Sequence, residues 1–304
     1  MAKKEKKEKT VSEIAKELTL DKRNGYCKIS DAEMKKVSKF CENYKKYMDE
    51  SKTERECVDY AVNAAEKAGF VPFERGKDYK AGDKVYYSNR NKSLCLAVIG
   101  KNGLKNGTRI VAAHIDSPRL DLKPIPVYEA SEQALLKTHY YGGIKKYQWL
   151  AIPLSMHGKV LRKDGKQVTI NVGEKEGEPQ FCITDILPHL GKDQAVKKLG
   201  EAVAGEDLNI LAGSLPVSRE KGESLFKLNV LKVLNDKYGI IEDDFISAEI
   251  EFVPAFKASD VGIDQSMIGA YGQDDRVCAY TAMEAILDCG VPDDTAVVVL
   301  ADKE

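Results

Sequence analysis

At 304 residues the chain is long enough for two average domains, and its 43% hydrophobic content suffices for ordinary packed cores. Its 47 Lys and Arg nearly cancel 48 Asp and Glu, so no global field favours nucleic acid, an anionic membrane or a cationic partner. No run of about eighteen apolar residues is present, which excludes a membrane-spanning helix on hydropathy and makes the cytoplasm the expected location.

The basic start, Met1 to Lys9, mixes lysines with glutamates and is followed by no apolar core of the kind a secretory signal needs, so it reads as a solvated leader. From Ser30 to Gly69 apolar residues recur at spacings of three and four, with Asp31 available as an N-cap. That pattern predicts two helices ending at Gly69. Lys84 to Gly100 has Val, Tyr and Leu on either side of a polar SNRNKS break, the pattern of a hairpin. After turn signals at Asn102-Gly103 and Asn106-Gly107, TRIVAAHID predicts a short buried strand that ends at polar chemistry. Strand ends are where sites sit in open α/β sheets.

Between about Pro124 and Asp244 the character changes. Strand-like pieces at Lys159 to Leu161 and Gln167 to Val172 come with Gly and Lys turns, and a helical piece is expected near Asp193 to Ala204. A β-rich module inserted into the first module fits this stretch. Beyond it, Ala248 to Pro254 predicts a strand, Asp275 to Gly290 a helix and Thr295 to Leu300 a parallel-type buried strand. The resulting expectation is an α/β domain of residues 1–125 and 245–304, interrupted by a β-rich domain of residues 126–244. The seven cysteines, Cys27, Cys41, Cys57, Cys95, Cys182, Cys278 and Cys289, are scattered without a CxxC pair, and are expected to be reduced, mostly buried thiols, not metal ligands.

Three clusters carry candidate chemistry. His114 closes an apolar strand and Asp116 follows two residues later, so an extended backbone points both side chains to one side. An imidazole is a good zinc ligand, and a carboxylate two residues along can orient its ring. Asp274 and Asp275 stand between a glycine loop and an apolar-periodic helix. They suit either an N-cap or a carboxylate that bridges two divalent ions. In the third cluster Asp302 and Glu304 follow an apolar run, where polar residues equally fit a plain loop.

The segments AHIDSPRLDLKP, GQDDRVCAYTAMEAI and ADKE resemble the aspartyl aminopeptidase family, metallopeptidase family eighteen, and its bacterial members in particular. The similarity extends through SKTERECV, YYSNRNKS, YYGGIKKYQWL and ILPHL. It implies a zinc-exopeptidase-like mixed sheet with flanking helices, an inserted dimerisation or lid domain, peptide substrates and two zinc ions per site, with cobalt or manganese as substitutes. By the same resemblance His114 matches a zinc ligand, Asp274 the bridging carboxylate, Asp116 the supporting acid and Glu304 the general base that takes a proton from the attacking water. His189, in PHL, falls in the inserted domain, from which a histidine can reach a neighbouring subunit's site; a solvent-facing loop histidine is the alternative. Relatives build dimers into tetrahedral dodecamers, so a homo-oligomer is expected.

The family's pattern continues past its general base with a second glutamate, an aspartate and a histidine that bind metal, whereas this sequence stops at Glu304. A truncated aminopeptidase, inactive alone, is therefore the expectation. The alternatives are a non-catalytic scaffold and a di-zinc exopeptidase of another family, the latter opposed by YGGIKKYQWL and GQDDR.

Overall fold

Reciprocal capping starts three helices of this chain, which a computed structural model describes over residues 9–20 and 22–303. Two units separate, Met1–Tyr44 and Lys45–Glu304. In the first, Thr10 and Glu13 exchange side-chain and backbone hydrogen bonds at the head of α1 (Val11–Leu18). At the head of α2 (Asp31–Glu50), Ser30, not the expected Asp31, is the capping residue, because Glu33 lies three positions on and returns a bond of 2.8 Å from the Ser30 N–H. In the second unit Thr53 and Glu56 form the same box before α3 (Glu54–Lys67). That helix ends before Gly69, whose φ of +87° turns the chain out of it.

The second unit contains two main sheets. The first takes β1 (Val71–Pro72), β2 (Lys84–Asn89), β3 (Ser93–Val98), β4 (Thr108–His114) and, from the other end of the chain, β13 (Thr295–Ala301), in the order β1-β2-β3-β13-β4. The expected hairpin is β2–β3, reversing through Arg90 and Asn91, both at positive φ. β13 runs parallel to β4 and antiparallel to β3. On one face Leu94, Leu96, Val98, Val298 and Leu300 are buried, packed by α3 and by α6 (Gln273–Leu287). The opposite face leaves Tyr87 and Ile110 exposed. A cavity of about 1110 Å³ lies over it, lined by Val85, Cys95, Ala97, Thr295 and Val297. β4 was expected to be buried, but Thr108–Ala112 are exposed, because β4 is the sheet's edge and only its last turn of sequence, at Ala113, reaches the core.

The second sheet is antiparallel and six-stranded, in the order β8-β7-β10-β5-β6-β9. Its strands are β5 (Arg119–Ala130), β6 (Gln133–Tyr141), β7 (Leu154–Leu161), β8 (Gln167–Val172), β9 (Ile210–Gly213) and β10 (Glu249–Pro254). It thus draws on residues on both sides of the 126–244 stretch. Its core gathers Leu120, Leu136, Leu154, Ile170, Ile210 and Phe252 around α5 (Leu225–Tyr238), with α5 residues Val230, Leu231 and Leu234 against it. Strands β11 (Ser259–Val261) and β12 (Met267–Gly269) form a small separate ribbon.

Only Lys192–Ala195, helix α4, is helical within the stretch expected near Asp193 to Ala204. Val196 and Leu199 remain 86% and 64% exposed, so the apolar positions find no surface on which to bury and the chain continues as turns. The seven cysteines are all free, yet only Cys57 is buried; Cys278 sits on the solvent side of α6 and Cys27 in an exposed turn.

A polar cluster ties α3 to the second sheet. The His157 ring, 2% exposed, lies 2.8 Å through Nδ1 from Glu56 Oε1 and 3.2 Å through Nε2 from Glu174 Oε1. Lys52 Nζ donates to the carbonyls of Pro254 and Phe256 and lies 3.3 Å from the same Glu174 oxygen.

Candidate metal centre

The first sheet aims its C-terminal strand ends at one place. β4 ends at His114, and the chain then passes through buried Ile115, Asp116 and Ser117 into β5. α6 brings in Asp274 and Asp275, which have non-helical φ/ψ, are joined by a cis peptide and stand ahead of the regular turns. Gly272 at φ +80° precedes them, and a Cβ there would meet the Arg276 guanidinium at 2.4 Å. Arg276 is 1% exposed and holds this loop in place, its Nε donating to the Ile115 carbonyl and its Nη2 to that of Lys52. Ser117 Oγ donates to the Asp274 carbonyl at 3.2 Å.

Around His114 the geometry fixes the ring. Nδ1 lies 3.0 Å from the Asp116 backbone carbonyl, an oxygen that can only accept, so Nδ1 carries the proton and Nε2 keeps its lone pair. Nε2 stands 3.3 Å from Asp274 Oδ1. The Asp274 side chain is 93% exposed, free to turn toward a ligand in front of the ring. Burial alone would lower the affinity of His114 for a proton, but the bond to Asp116, the charges of Asp116 and Asp275 and the hydrogen bond to Asp274 outweigh it and raise its pKa.

Asp116, 1% exposed, is gripped from two other segments. Tyr141 at the end of β6 donates its phenol to Oδ2 in a short bond, and the Lys303 N–H just beyond β13 donates to Oδ1 at 3.1 Å. Burial, followed by the bond to Asp116 and its charge, pushes the Tyr141 phenol well above the ordinary range. Nearby Asp302 has its pKa raised by burial and by the charge of Glu54, despite the opposing charges of Lys303 and Lys92. Lys92 Nζ lies 2.9 Å from Glu54 and 3.9 Å from Asp302.

The structure therefore brings together His114, Asp116 and Asp274. The Asp275 carboxylate faces the Cys278 thiol one turn along α6, and neither aspartate caps the helix through its side chain. His189 sits on an exposed turn, and among the described residues nothing links it by hydrogen bond or ion pair to the other three. Glu304 lies outside the described residues. Tyr141, Ser117 and Arg276 are the contributors not singled out from the sequence; for Tyr141 the only signal was its place in YYGGIKKYQWL, which names no role.

An imidazole nitrogen with its other nitrogen already pinned, facing an exposed carboxylate, is a donor pair suited to zinc and accounts for two of the four positions zinc ordinarily fills. Among the described residues no group of three or more His, Cys, Asp and Glu gathers to hold an ion. The residues fit the metal as part of a site.

A mixed sheet that gathers His114, Asp116 and Asp274 at its strand ends, with a second antiparallel sheet beside it, is an α/β arrangement able to carry part of a metal site. Residues 47–304 match the model of the family described as aminopeptidase I zinc metalloprotease (M18), and the chain belongs to that family. A probable M18 family aminopeptidase 1 of Borrelia garinii is 49% identical over 94% of this chain and 62% of its own length. The crystal structure of the M18 aminopeptidase from Thermotoga maritima superposes with a TM-score of 0.88 at 45% identity, over 94% of this chain and 62% of that one. At 20% identity the S. cerevisiae mApe1 dodecamer shares the fold, with a TM-score of 0.64 over 86% of this chain and 60% of that one. The chain thus spans a little over three fifths of the length of the relatives it matches.

Proposed function

We propose that this chain supplies part of the catalytic centre of a zinc aminopeptidase that hydrolyses the first peptide bond of peptides. The observation that carries this reading is the 3.3 Å approach of His114 Nε2 to Asp274 Oδ1 across two chain segments, with the opposite ring nitrogen already engaged by Asp116. In this reading His114 and Asp274 would hold divalent ions, with Asp274 as the carboxylate shared by two of them. Bound there, the ions supply Lewis-acid polarisation and a lowered water pKa; zinc is the family's metal, and cobalt and manganese suit the same donors.

The chain's own residues orient and exchange protons. Asp116 keeps the His114 Nδ1 proton in place, so that Nε2 presents a lone pair and not a proton. Ser117 and Arg276 fix the backbone from which Asp274 extends. Glu304 takes the general-base role on the strength of the ADKE motif. The family likeness further supports cytoplasmic location, a dimer-based homo-oligomer built through the second sheet, and His189 as a residue offered to a neighbouring subunit. The described residues include no helix long and apolar enough to cross a membrane.

The test is release of the amino-terminal residue from an unblocked peptide by this chain carried together with the remaining length of the family's catalytic domain, before and after chelation and zinc return. Chelator-sensitive release that an N-acetyl group abolishes is the expected result. Protein that binds no zinc and releases nothing would be the non-catalytic scaffold instead, and chelator-resistant release would overturn the metal assignment.

A further inference from the structure

Where α3 meets the second sheet, the described residues gather five carboxyl groups around three cations. Glu54 opens α3 and Glu251 lies within β10, 1% and 6% exposed. Asp121, Asp302 and Glu249 are the other acids, and Arg55, Lys92 and Arg119 the cations. Arg55 pairs with Glu249. Lys92 Nζ lies 2.9 Å from Glu54, 3.4 Å from Glu249 and 3.9 Å from Asp302. Arg119 Nε carries a single hydrogen, and it goes to Asp121 Oδ1 at 2.8 Å, with Glu251 Oε2 left at 3.4 Å. That buried oxygen has no hydrogen-bond partner among the described residues. The other groups that face Glu251 are engaged elsewhere. His157, opposite it on β7, has Glu56 and Glu174 on its ring nitrogens, and the nearby Tyr271 hydroxyl donates to the Pro118 carbonyl. Asp121, opposite it on β5, is itself an acceptor. What Glu251 does meet, within hydrogen-bonding reach, is the Glu54 carboxyl. Two ionised carboxylates there would set acceptor against acceptor, away from water.

We propose that Glu251 and Glu54 share one proton at neutral pH, forming a carboxylic acid–carboxylate hydrogen bond that clamps α3 to the second sheet and weakens in alkali. The proton resides on Glu251. Burial and then the Glu54 charge, against the pull of Arg119, drive the Glu251 carboxyl well above the usual carboxylate range. For Glu54 burial acts in the same direction but is outweighed by the charges of Arg119 and Lys92. In the unfolded chain Glu251 ionises near 4.5, so the folded acid contributes stability that is complete below that pH and is lost as pH climbs through its folded value. Neither His114 nor Asp274 takes part in the clamp, so its fate is separate from that of the zinc reading.

Glu251→Gln tests this on the whole chain, because the amide keeps a donor for Glu54 and never ionises. Urea titrations of variant and wild type at about pH 5 and about pH 7 give the ratio of their folding constants. That ratio should move at least tenfold in favour of the variant between the two, since each pH unit below the folded value changes it about tenfold. A ratio that is the same at both would overturn the proposal. Carbon-13 NMR of the side-chain carboxyl carbons in wild type is the second readout. One glutamate carbon is expected at the protonated position at about pH 7, titrating only at higher pH and missing from Glu251→Gln. Wild type with every glutamate carbon ionised at that pH would overturn the proposal whatever the variant does. Should Glu251→Gln not fold, Glu54→Gln supplies the assignment, because the same resonance shifts when its partner loses its charge; a protonated resonance indifferent to that change would also overturn the shared proton.

Discussion

Replacing His157 by Gln should cost the second unit about 3 kcal/mol, with a pH signature that identifies the cause. His157 joins Glu56 on α3 to Glu174 beyond β8, at 2.8 and 3.2 Å, in a site where the ring is 2% exposed. Burial opposes its charge, yet the bonds to Glu174 and Glu56 and their charges raise its pKa above the ordinary 6.5. Glu56 and Glu174 are both depressed below 4.5; burial opposes this for each, but the bond to His157 leads the opposing causes. Breaking a buried charged pair costs about 3–5 kcal/mol. The lower figure applies because Glu174 retains Lys52 and Lys257, and Glu56 retains Asn171 and two backbone amides. With a urea slope of about 3 kcal/mol/M, the midpoint should fall by about 1 M. The sign with pH follows from linkage. A raised His pKa contributes stability that is complete below 6.5 and is lost as pH climbs through the folded value, while the depressed carboxylates contribute stability that is complete above 4.5 and is lost on acidification through theirs. The deficit of His157→Gln should therefore be larger at about pH 6 than at about pH 9. Urea titrations of both proteins at the two pH values measure it, and a deficit that is the same at both would refute a charged His157.

Asp274→Asn should leave the unfolding free energy within about 0.5 kcal/mol of wild type, because the side chain is 93% exposed, while abolishing zinc binding; a large stability loss would make Asp274 a structural residue. Arg276→Met removes buried donors from the Ile115 and Lys52 carbonyls. Allowing for the guanidinium desolvation it avoids, the change should cost about 2–4 kcal/mol in the same titration, and a neutral result would mean that those carbonyls find other donors. Gly158→Ala would place a Cβ 2.0 Å from the Glu249 carbonyl oxygen within the β7–β10 ladder, at a φ of +151°. A loss of about 3 kcal/mol or more is expected, and near-wild-type unfolding would show that the ladder shifts to accept it.

Periodic signals in the sequence carried over well where the element is long and one face meets a core. The strand at Gln167 to Val172 has its expected limits, and the helix expected from Asp275 begins its regular turns just after that residue. Helix propensity without a surface to bury did not suffice at Val196 and Leu199, and β4 looked buried because its apolar run does not reveal that it lies at the sheet's edge. Of the candidate site, His114, Asp116 and Asp274 were legible as residue types at strand and helix ends. Their meeting was not, since it depends on a crossover that places α6 against β4. Tyr141 and Arg276 act through one hydroxyl and one guanidinium brought in from distant segments, and neither leaves a local pattern. The stretch of residues 126–244 reads as β-rich, and β5 and β10 show that the second sheet also takes in the chain on either side of it.

The central claim is that His114 and Asp274 bind metal together. Anomalous diffraction at the zinc edge from crystals of the zinc-loaded protein tests it most directly. The account predicts a peak at about 2.0–2.2 Å from both His114 Nε2 and an Asp274 carboxylate oxygen. Zinc bound only at other residues, or a His114–Asp274 pair with no peak between them at saturating zinc, would contradict it.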